Sequence, residues 1–298
     1  MWGWRVILIN SESNLKLLHG NLHIIRADGQ ISFPIEDIDM VLVEAPFGVV
    51  TFPLLRKLAE KGIPLLITDN TFLPSGIFLP YFSQQSVPNL LFQQLELKIP
   101  FKKRVWQRIV QQKILNQAKT LDLLGKESKS LLEIALNVRS GDSTNREAVA
   151  AKVYFKSLLE SSSRKADSLI NSALNYGYSI VRSAVARSLA ASGLVCALGL
   201  GHKSRTNPFN LADDFVEVFR PFVDLMIFKE PPCEELSPNY KKYLIKVLKM
   251  ECAILGKIYS ISTACWEIAH SYAKAVLKED HRLVNLPSLF DFSFRDYE

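Results

Sequence analysis

The chain has 298 residues, of which 48% are hydrophobic, and a formal net charge of +6. This length allows one large domain or two smaller ones, and the composition is ordinary for a globular protein. The charge is uneven, because residues 1–85 hold six Lys/Arg against eight Asp/Glu, whereas the remainder holds 30 against 22. We therefore expect an acidic partner such as nucleic acid to bind the part of the chain that follows residue 85.

The sequence shows no pattern typical of export, of a membrane span or of a zinc site. The apolar start at residues 1–10 is too short for a signal peptide, and the uncharged run at residues 188–201 is too short to cross a bilayer. The cysteines are scattered and form no C-x-x-C pair, which favours buried reduced thiols over zinc ligands. We expect a cytoplasmic protein that has no membrane partner. The cysteines are Cys196, Cys233, Cys252 and Cys265.

Residues 1–85 are predicted to form a small β-rich domain. Short runs typical of strands occur at residues 4–9, 22–25, 40–43 and 64–67, and polar or Gly/Pro residues separate them. One helix is predicted over residues 52–61, because Gly62 follows it and suits a left-handed C-cap. A cluster of prolines and polar residues at 74–88 marks the predicted boundary.

Residues 86–298 are predicted to form a larger, all-helical catalytic domain, which makes the fold class α+β. From about residue 90 apolar residues recur with helical spacing, and β-branched runs become rare. The last 20 residues are predicted to be irregular. The predicted helices cover residues 91–124, 126–139, 144–161, 164–192 and 239–276.

Glu147 has two interpretations. Thr144-x-x-Glu147 ahead of an apolar run is a capping box, in which the glutamate would bind a backbone N–H. Alternatively, Glu147 belongs to a site, because Ala150 and Ala151 lie on the same helical face and leave room for a ligand. Spacing alone does not separate the two interpretations.

His202 follows a run rich in small residues and precedes Lys203 and Arg205, which suit phosphate contacts. A histidine taken alone is more often a satisfied loop or core residue. The Gly199-x-Gly201 pair is not a dinucleotide-binding loop, because a third glycine and a preceding strand are missing.

Asp213, Asp214 and Glu217 place three carboxylates on a further short helix, for which Asn210 is a good N-cap. Acids in a first turn complement the helix dipole, which is the simpler interpretation for the two aspartates. Glu217 lies a turn further along, so like charges crowd one face, and a bound cation would relieve their repulsion. On this interpretation, removing one acid would raise the thermal stability of the metal-free protein. Arg220, ahead of a helix-restarting Pro221, pairs with these acids or contacts a phosphate.

Residues 98–119 contain seven cationic side chains and no acid. Such a run is usually a solvated face, but in a basic domain it also suits a phosphate backbone. We predict that Arg104 and Arg108 contribute most, because they lie four residues apart on one helical face. The DNA-binding candidates are Lys102, Lys103, Arg104, Arg108, Lys203 and Arg205.

Three ordered blocks of this chain resemble the CRISPR-associated spacer integrase, the first-numbered protein of the Cas series. They are Asn145-Arg-Glu-Ala with Ala151-Lys-Val-Tyr-Phe155, then Leu174-Asn-Tyr-Gly-Tyr-Ser-Ile180, then Gly201-His with Asp214-Phe-Val-Glu-Val-Phe-Arg-Pro221. The short gap after His202 and the glutamate at 217 resemble the type II branch. More loosely, the resemblance extends over nearly the whole chain.

The resemblance implies a metal-dependent endonuclease and integrase of CRISPR adaptation, in which Glu147, His202 and Glu217 are both the metal ligands and the catalytic residues. Two carboxylates and an imidazole suit Mg²⁺ or Mn²⁺ better than a thiophilic metal. Asp214 and Arg220 would support the ligands. A 3′-hydroxyl would attack a phosphodiester and insert spacer DNA into the repeat array.

The implied partners are double-stranded DNA (spacer precursor and repeat array), a second copy of this chain bound through the β-rich domains, and the second-numbered Cas protein. In the type II branch they also include the effector nuclease and a ring-forming accessory protein. Two alternatives remain open from the sequence. One is a stand-alone metal-dependent DNase that acts on branched DNA in repair. The other is a non-catalytic DNA-binding scaffold, in which the acids are helix caps and the histidine belongs to the core.

Overall fold

The computed structural model describes residues 5–63, 65–69, 74–78, 86–159, 164–232 and 237–295. Cys233, together with Trp4 and Pro64 at the starts of two predicted strands, lies outside the described residues. The chain divides into two compact units, Met1–Asn89 and Leu90–Glu298.

The first unit contains, within its described residues, two four-stranded sheets and one helix. One sheet has the order β1-β5-β7-β8, with β8 antiparallel and the other strands parallel. The other has the order β4-β3-β2-β6, an antiparallel meander to which β6 adds in parallel. The elements are β1 Arg5–Ile9, β2 Ser13–Leu18, β3 Asn21–Arg26, β4 Gly29–Pro34, β5 Ile38–Val43, β6 Gly48–Val50, α1 Phe52–Lys61, β7 Leu65–Thr68 and β8 Pro74–Phe78.

The core of this unit follows from the strand and helix periods. In β2 and β3, Leu15, Leu22 and Ile24 point inward, and α1 covers them with Leu54 and Leu58. The helix ends at Gly62, whose φ of 72° is left-handed, so the predicted helix and its C-cap are confirmed. The predicted strands are present, whereas β2, β4, β6 and β8 lie outside the predicted runs.

From residue 86 onward the structure is mainly helical, and the α+β fold class is confirmed. No helix among the described residues is both long and apolar enough to cross a membrane. The elements are α2 Ser86–Glu96, α3 Ile99–Leu123, α4 Lys129–Leu136, α5 Arg146–Leu159, α6 Arg164–Ala191, α7 Asn210–Val216, α8 Arg220–Lys229, α9 Pro238–Ile245, β9 Glu251–Ile254, β10 Lys257–Ser260 and α10 Ile261–Lys278.

Two predicted helices are divided in the structure. The helix predicted over 91–124 is α2 and α3, because Pro100 lies in the first turn of α3 and cannot continue a helix from α2. The helix predicted over 239–276 is α9 and α10 with an antiparallel hairpin, β9–β10, between them. The hairpin turns at Leu255 and Gly256, whose φ values of 49° and 76° are both left-handed. The all-helical description of this part of the chain therefore needs one correction.

The core of the second unit brings the motif-bearing helices together. Helix α3 lies at its centre and buries Val105, Ile109 and Ile114. Helices α6 and α8 approach closely at Gly177, where a Cβ atom would lie 2.4 Å from Val223 Cγ1, so the absence of a side chain at Gly177 allows this packing. Helix α8 restarts at Arg220 with Pro221 in its first turn, as predicted.

Candidate active site

Glu147 lies in the first turn of α5, and its carboxylate does not cap the helix. Asp142 does so instead, because its carboxylate accepts hydrogen bonds from the backbone N of Arg146 (2.7 Å) and of Glu147 (3.0 Å). Asn145 has a left-handed φ of 51°, which turns the chain into the helix. The Glu147 Oε1 atom contacts Lys113 Nζ at 2.7 Å. The capping-box interpretation is therefore wrong, and the Glu147 carboxylate is directed to a cation of α3.

Glu217 lies in the link between α7 and α8 and is only 4% exposed. Its Oε2 atom lies 2.5 Å from Lys113 Nζ, and its Oε1 atom accepts a hydrogen bond from Arg220 Nε at 2.9 Å. The Arg220 guanidinium also lies over the Tyr178 ring, 4.5 Å from its centroid. Of the two roles that the sequence left open for Arg220, the structure shows pairing with an acid.

His202 is held by Asp214, which is fully buried. The Asp214 carboxylate accepts hydrogen bonds from the backbone N of Leu200 (2.5 Å), Gly201 (3.1 Å) and His202 (2.9 Å). It also accepts one from His202 Nδ1 at 2.8 Å. A histidine ligand typically donates one ring nitrogen to a carboxylate, which leaves Nε2 for a metal. Asp214 thus orients His202 and has no oxygen free of the loop.

The two glycines before His202 have packing roles. A Cβ atom on Gly199 would lie 2.3 Å from the His202 carbonyl oxygen, and one on Gly201 would lie 2.6 Å from the Trp106 ring. Trp106 also meets the His202 imidazole edge-on, with 5.9 Å between ring centroids. These contacts place the His202 loop directly against α3, the helix that carries Lys113.

The predicted crowding of like charges is balanced within the protein. Asp213 pairs with Arg182 at 2.5 Å and accepts a hydrogen bond from Asn207 at 2.6 Å. Asp214 is surrounded by N–H donors, and Glu217 faces two cations. Each of the three acids has a partner, so these partners offset the repulsion between the acids even without metal.

The charges of the site shift its pKa values. Burial alone would raise the pKa of Glu217, but the charges of Lys113 and Arg220 outweigh burial and lower it. Burial likewise opposes a charged Lys113, yet Glu217 and Glu147 raise its pKa above the ordinary value. The hydrogen bond to Asp214 raises the pKa of His202 against the opposing effect of burial. These directions favour the charged forms of both the Glu217 carboxylate and the Lys113 ammonium.

The residue types fit a hard divalent cation, although the ammonium lies between them. Within the described residues, no three His, Cys, Asp or Glu side chains are arranged as a ready metal-binding group. Glu147 and Glu217 nevertheless converge on one cation, and the buried Glu217 Oε2 accepts no well-aligned hydrogen bond. Carboxylate oxygens with one imidazole form a donor set that Mg²⁺ and Mn²⁺ accept.

Comparison with known proteins shows to which family this chain belongs. The family model for the CRISPR-associated protein Cas1 matches residues 6–236. This chain belongs to the Cas1 family. It is 39% identical to the CRISPR-associated endonuclease Cas1 of Neisseria meningitidis over 99% of both chains.

Solved structures share the fold of this Cas1-family chain. A Cas1 protein from Thermotoga maritima matches with a TM-score of 0.64 and 19% identity, over 93% of this chain and 97% of that one. A casposase bound to its integration product matches with a TM-score of 0.66 and 18% identity, over 99% of this chain and the whole of that one. A partial complex of a Cas6-RT-Cas1 fusion with Cas2 matches with a TM-score of 0.71 and 19% identity, over 95% of this chain and 98% of that one.

A cleft of about 320 Å³ opens beside His202 and Arg220. Tyr178 and the Arg182–Asp213 pair contribute to its wall, so the lining is mainly polar and carries two guanidinium groups. Cationic and hydrogen-bonding groups around a cleft suit a phosphodiester better than an apolar ligand. The cleft is therefore a candidate phosphate-binding site beside His202, and its two guanidinium groups are each paired with an acid in this structure.

The candidate DNA-binding side chains differ in their availability. Lys103 and Arg104 on α3 and Lys203 and Arg205 after His202 are exposed, while Lys102 is half-buried. Arg108 is half-buried too, and its Nη1 atom donates to the His281 carbonyl oxygen at 2.5 Å. Because the Arg108 guanidinium already binds a backbone carbonyl group, it is less available to a phosphate. We therefore expect the exposed residues, rather than Arg108, to contribute most to DNA binding. That these residues bind DNA stays a prediction.

Sequence reasoning missed Lys113 and the polar network behind it. Tyr154 OH donates to Asp224 Oδ2 at 2.9 Å, and Tyr178 OH donates to Asp224 Oδ1. Asp224 is buried, and burial raises its pKa to about 6. A signal for Lys113 was present, because it shares a helical face with Ile109 and Val110, where a lone lysine indicates a buried ion pair.

Proposed function

We propose that this Cas1-family chain is a metal-dependent DNA integrase and endonuclease of CRISPR adaptation. The observation that carries the proposal is the convergence of Glu147 and Glu217 on one cation, on the helix against which the Asp214-oriented His202 packs. A full-length relative at 39% identity carries the name CRISPR-associated endonuclease. A casposase with the same fold is bound to its integration product.

Each side chain has a role that follows from its contacts. Glu147, Glu217 and His202 through Nε2 would hold Mg²⁺ or Mn²⁺. When bound, the metal supplies Lewis acidity, which activates a 3′-hydroxyl or a water molecule and stabilises charge developing on the phosphate. Asp214 fixes the imidazole, and Arg220 fixes the Glu217 carboxylate through its Oε1 atom.

The proposed DNA contacts surround this centre. Lys203 and Arg205 directly follow His202 and are exposed, so they lie where the backbone of a bound duplex would continue. Lys103 and Arg104 extend the same positive surface along α3, which touches the His202 loop at Trp106. Double-stranded DNA, as spacer precursor and as repeat array, is the substrate that this arrangement supports.

The proposed protein partners follow the family. Cas2 is one, because a structure with this fold is part of a Cas1–Cas2 complex. A second copy of this chain is another, and exposed apolar residues of the first unit, including Phe47 (71% exposed) and Phe52 (82%), give that copy a surface to cover. The type II effector nuclease and a ring-forming accessory protein complete the proposed assembly on the strength of the motif resemblance.

A joining assay tests the proposed reaction. Labelled donor duplexes with a 3′-hydroxyl or a blocked 3′ end are incubated with a plasmid that carries a repeat array, with Mn²⁺, with Mg²⁺ or with chelator. We expect joined product only with a free 3′-hydroxyl and a metal, and none with Glu147→Gln, His202→Ala or Glu217→Gln. Glu133→Gln, which removes an exposed carboxylate on α4, is the matched control and should join as wild type.

The assay has two outcomes that contradict the proposal. Cleavage of the array without joining, regardless of the donor end, would show that the protein is a nuclease and not an integrase. Activity that survives the chelator would show that the reaction does not depend on a metal.

A further inference from the structure

Lys113 is a buried lysine placed between two proposed metal ligands. It lies in the middle of α3 and is 7% exposed. Its Nζ atom lies 2.7 Å from Glu147 Oε1 and 2.5 Å from Glu217 Oε2. Glu147 belongs to the first turn of α5, and Glu217 to the link between α7 and α8. One ammonium group therefore joins three separate parts of the second unit.

The surroundings explain why this ammonium stays with the carboxylates. Lysine is almost never fully buried unless it is paired, because removing its charge from water is costly. On the same face of α3, Ile109 and Val110 are completely buried and offer no polar partner. Conversely, Glu147 and Glu217 would repel each other across this site if no positive charge lay between them. The lysine and the carboxylates each stabilise the charged form of the other.

A divalent cation bound to both carboxylates would occupy the position that this ammonium occupies between Glu147 and Glu217. Oxygen ligands in proteins lie about 2.0–2.1 Å from Mg²⁺ and about 2.3–2.6 Å from Ca²⁺. The Nζ atom already lies at 2.7 and 2.5 Å from the two oxygens that would be ligands. A cation at that position would be in contact with the ammonium and repelled by it. Lysine, however, has a flexible four-carbon stem, which allows its charge to move while α3 stays in place.

We propose that Lys113 is an internal cation that holds Glu147 and Glu217 together in the metal-free protein and leaves them when a divalent cation binds. The inference rests on the proposed metal site and deepens it. Lys113 is thus a positioning residue that preforms the carboxylate pair, and it competes with the metal for the oxygens. The protein keeps a compact site without metal, and the cost is a lower metal affinity.

Two substitutions at position 113 shift metal affinity in opposite directions. Lys113→Met keeps an unbranched side chain that is one atom shorter and removes its charge, so Mn²⁺ should bind at least about tenfold more tightly, since no competitor remains. Lys113→Arg keeps the charge and binds carboxylates through a planar fork, so Mn²⁺ should bind at least about tenfold more weakly. Calorimetric titration of the purified full chain with Mn²⁺ at fixed pH and ionic strength measures both. Without metal, Lys113→Met should also have a lower unfolding temperature than wild type, and Mn²⁺ should raise it by more.

Lys119→Met is the matched control. Lys119 is on the same helix, and the structure shows no contact of its side chain with Glu147 or Glu217, so this variant removes an equal charge without removing the competitor. Its Mn²⁺ affinity should stay within about twofold of wild type. A Lys113→Met affinity equal to or weaker than wild type would overturn the inference. Where that variant does not fold, Lys113→Arg decides alone, because unchanged or tighter binding by it excludes competition.

A further variant separates this inference from the proposed metal site. Loss of Mn²⁺ binding in Glu147→Gln establishes that wild type binds metal at this carboxylate pair. With that result, unchanged affinity in both Lys113 variants refutes the role of the lysine and leaves the metal site standing. Wild-type protein that binds no Mn²⁺ would overturn both.

Discussion

Replacing Asp214 with alanine should unfold the loop that carries His202, because Asp214 holds that loop from inside. The carboxylate is fully buried and accepts three backbone N–H groups in succession, from Leu200, Gly201 and His202, besides the imidazole. Alanine would leave these donors without an acceptor and would also free the ring. If Asp214 only supported the ligands, as the resemblance implies, Asp214→Ala would be milder than Glu217→Ala. The structure instead predicts an effect at least as severe as that of Glu217→Ala.

The size of the effect follows from the number and kind of the hydrogen bonds lost. A hydrogen bond to a charged group contributes about 1.5–3 kcal/mol, and a buried unsatisfied donor costs about 1–3 kcal/mol. Simple addition over four hydrogen bonds overestimates the cost, because the loop relaxes toward water and neighbouring contributions do not add. We therefore expect about 4 kcal/mol, near the value for breaking a buried charge network. For a unit of about 200 residues, this lowers the unfolding temperature by roughly 10 °C.

His202→Ala is the informative comparison for Asp214→Ala. His202→Ala removes the imidazole that Asp214→Ala would only set free, and it keeps the three backbone hydrogen bonds of Asp214. Because the histidine side chain is 41% exposed, this variant should lower the free energy of unfolding by about 1 kcal/mol or less. Both variants should lose DNA joining. Calorimetric unfolding of the metal-free proteins distinguishes them. An Asp214→Ala protein that unfolds within about 1 kcal/mol of wild type would refute the argument, and one that still joins DNA would show that the orientation of His202 is unimportant.

Three further expectations concern charge. Glu217→Ala should lower the free energy of unfolding without metal by about 3 kcal/mol in urea titration, because the buried Lys113 and the half-buried Arg220 lose a counter-charge. Greater stability would support the repulsion argument instead. Replacing Lys103 and Arg104 together with Gln should flatten the slope of log affinity for DNA against log salt by roughly 0.9 per lost phosphate contact, whereas Lys257→Gln should not. For Asp224, burial raises the pKa from 3.8 to about 6, so the folded protein binds the proton more tightly and stability falls as pH rises from about 4 to about 6. This fall amounts to about 3 kcal/mol in the free energy of unfolding, and Asp224→Asn should abolish it. An identical pH profile in urea titrations of the two proteins would show that Asp224 is not its cause.

The sequence was sufficient to bring the distant carboxylates together, but not to identify what lies between them. Glu147 and Glu217 belong to two of the blocks that resemble the Cas1 family, and it is this resemblance that implies one site. Lys113 was counted within a run of cations, and a count of charges does not say which face of a helix each one occupies. Ile109 and Val110, four and three residues before Lys113, place it on the buried face of α3. A count of charges along the sequence does not contain this information.

Local conformation explains other differences between prediction and structure. The capping box required Thr144 to begin the helix, but Asn145 adopts a left-handed φ of 51° and Asp142 caps α5 from a turn earlier. No propensity argument distinguishes that arrangement from the predicted one. The β9–β10 hairpin lies in an apolar run that also suits a buried helix, and the Leu255-Gly256 turn was the one feature that favoured strands.

The partners of the acids, rather than their spacing, decide which carboxylates are available to a metal. Asp213 and Asp214 lie in α7, and Glu217 directly follows it, so a helical wheel gives no strong reason to prefer one of them. Asp214 binds backbone N–H groups, which cannot withdraw without unfolding the loop. Glu217 and Glu147 instead share the ammonium of Lys113, a charge on a flexible stem. At this pair one cation can be exchanged for another while the backbone of the described residues stays in place, which supports the proposal that the metal binds here and that Asp214 has a positioning role.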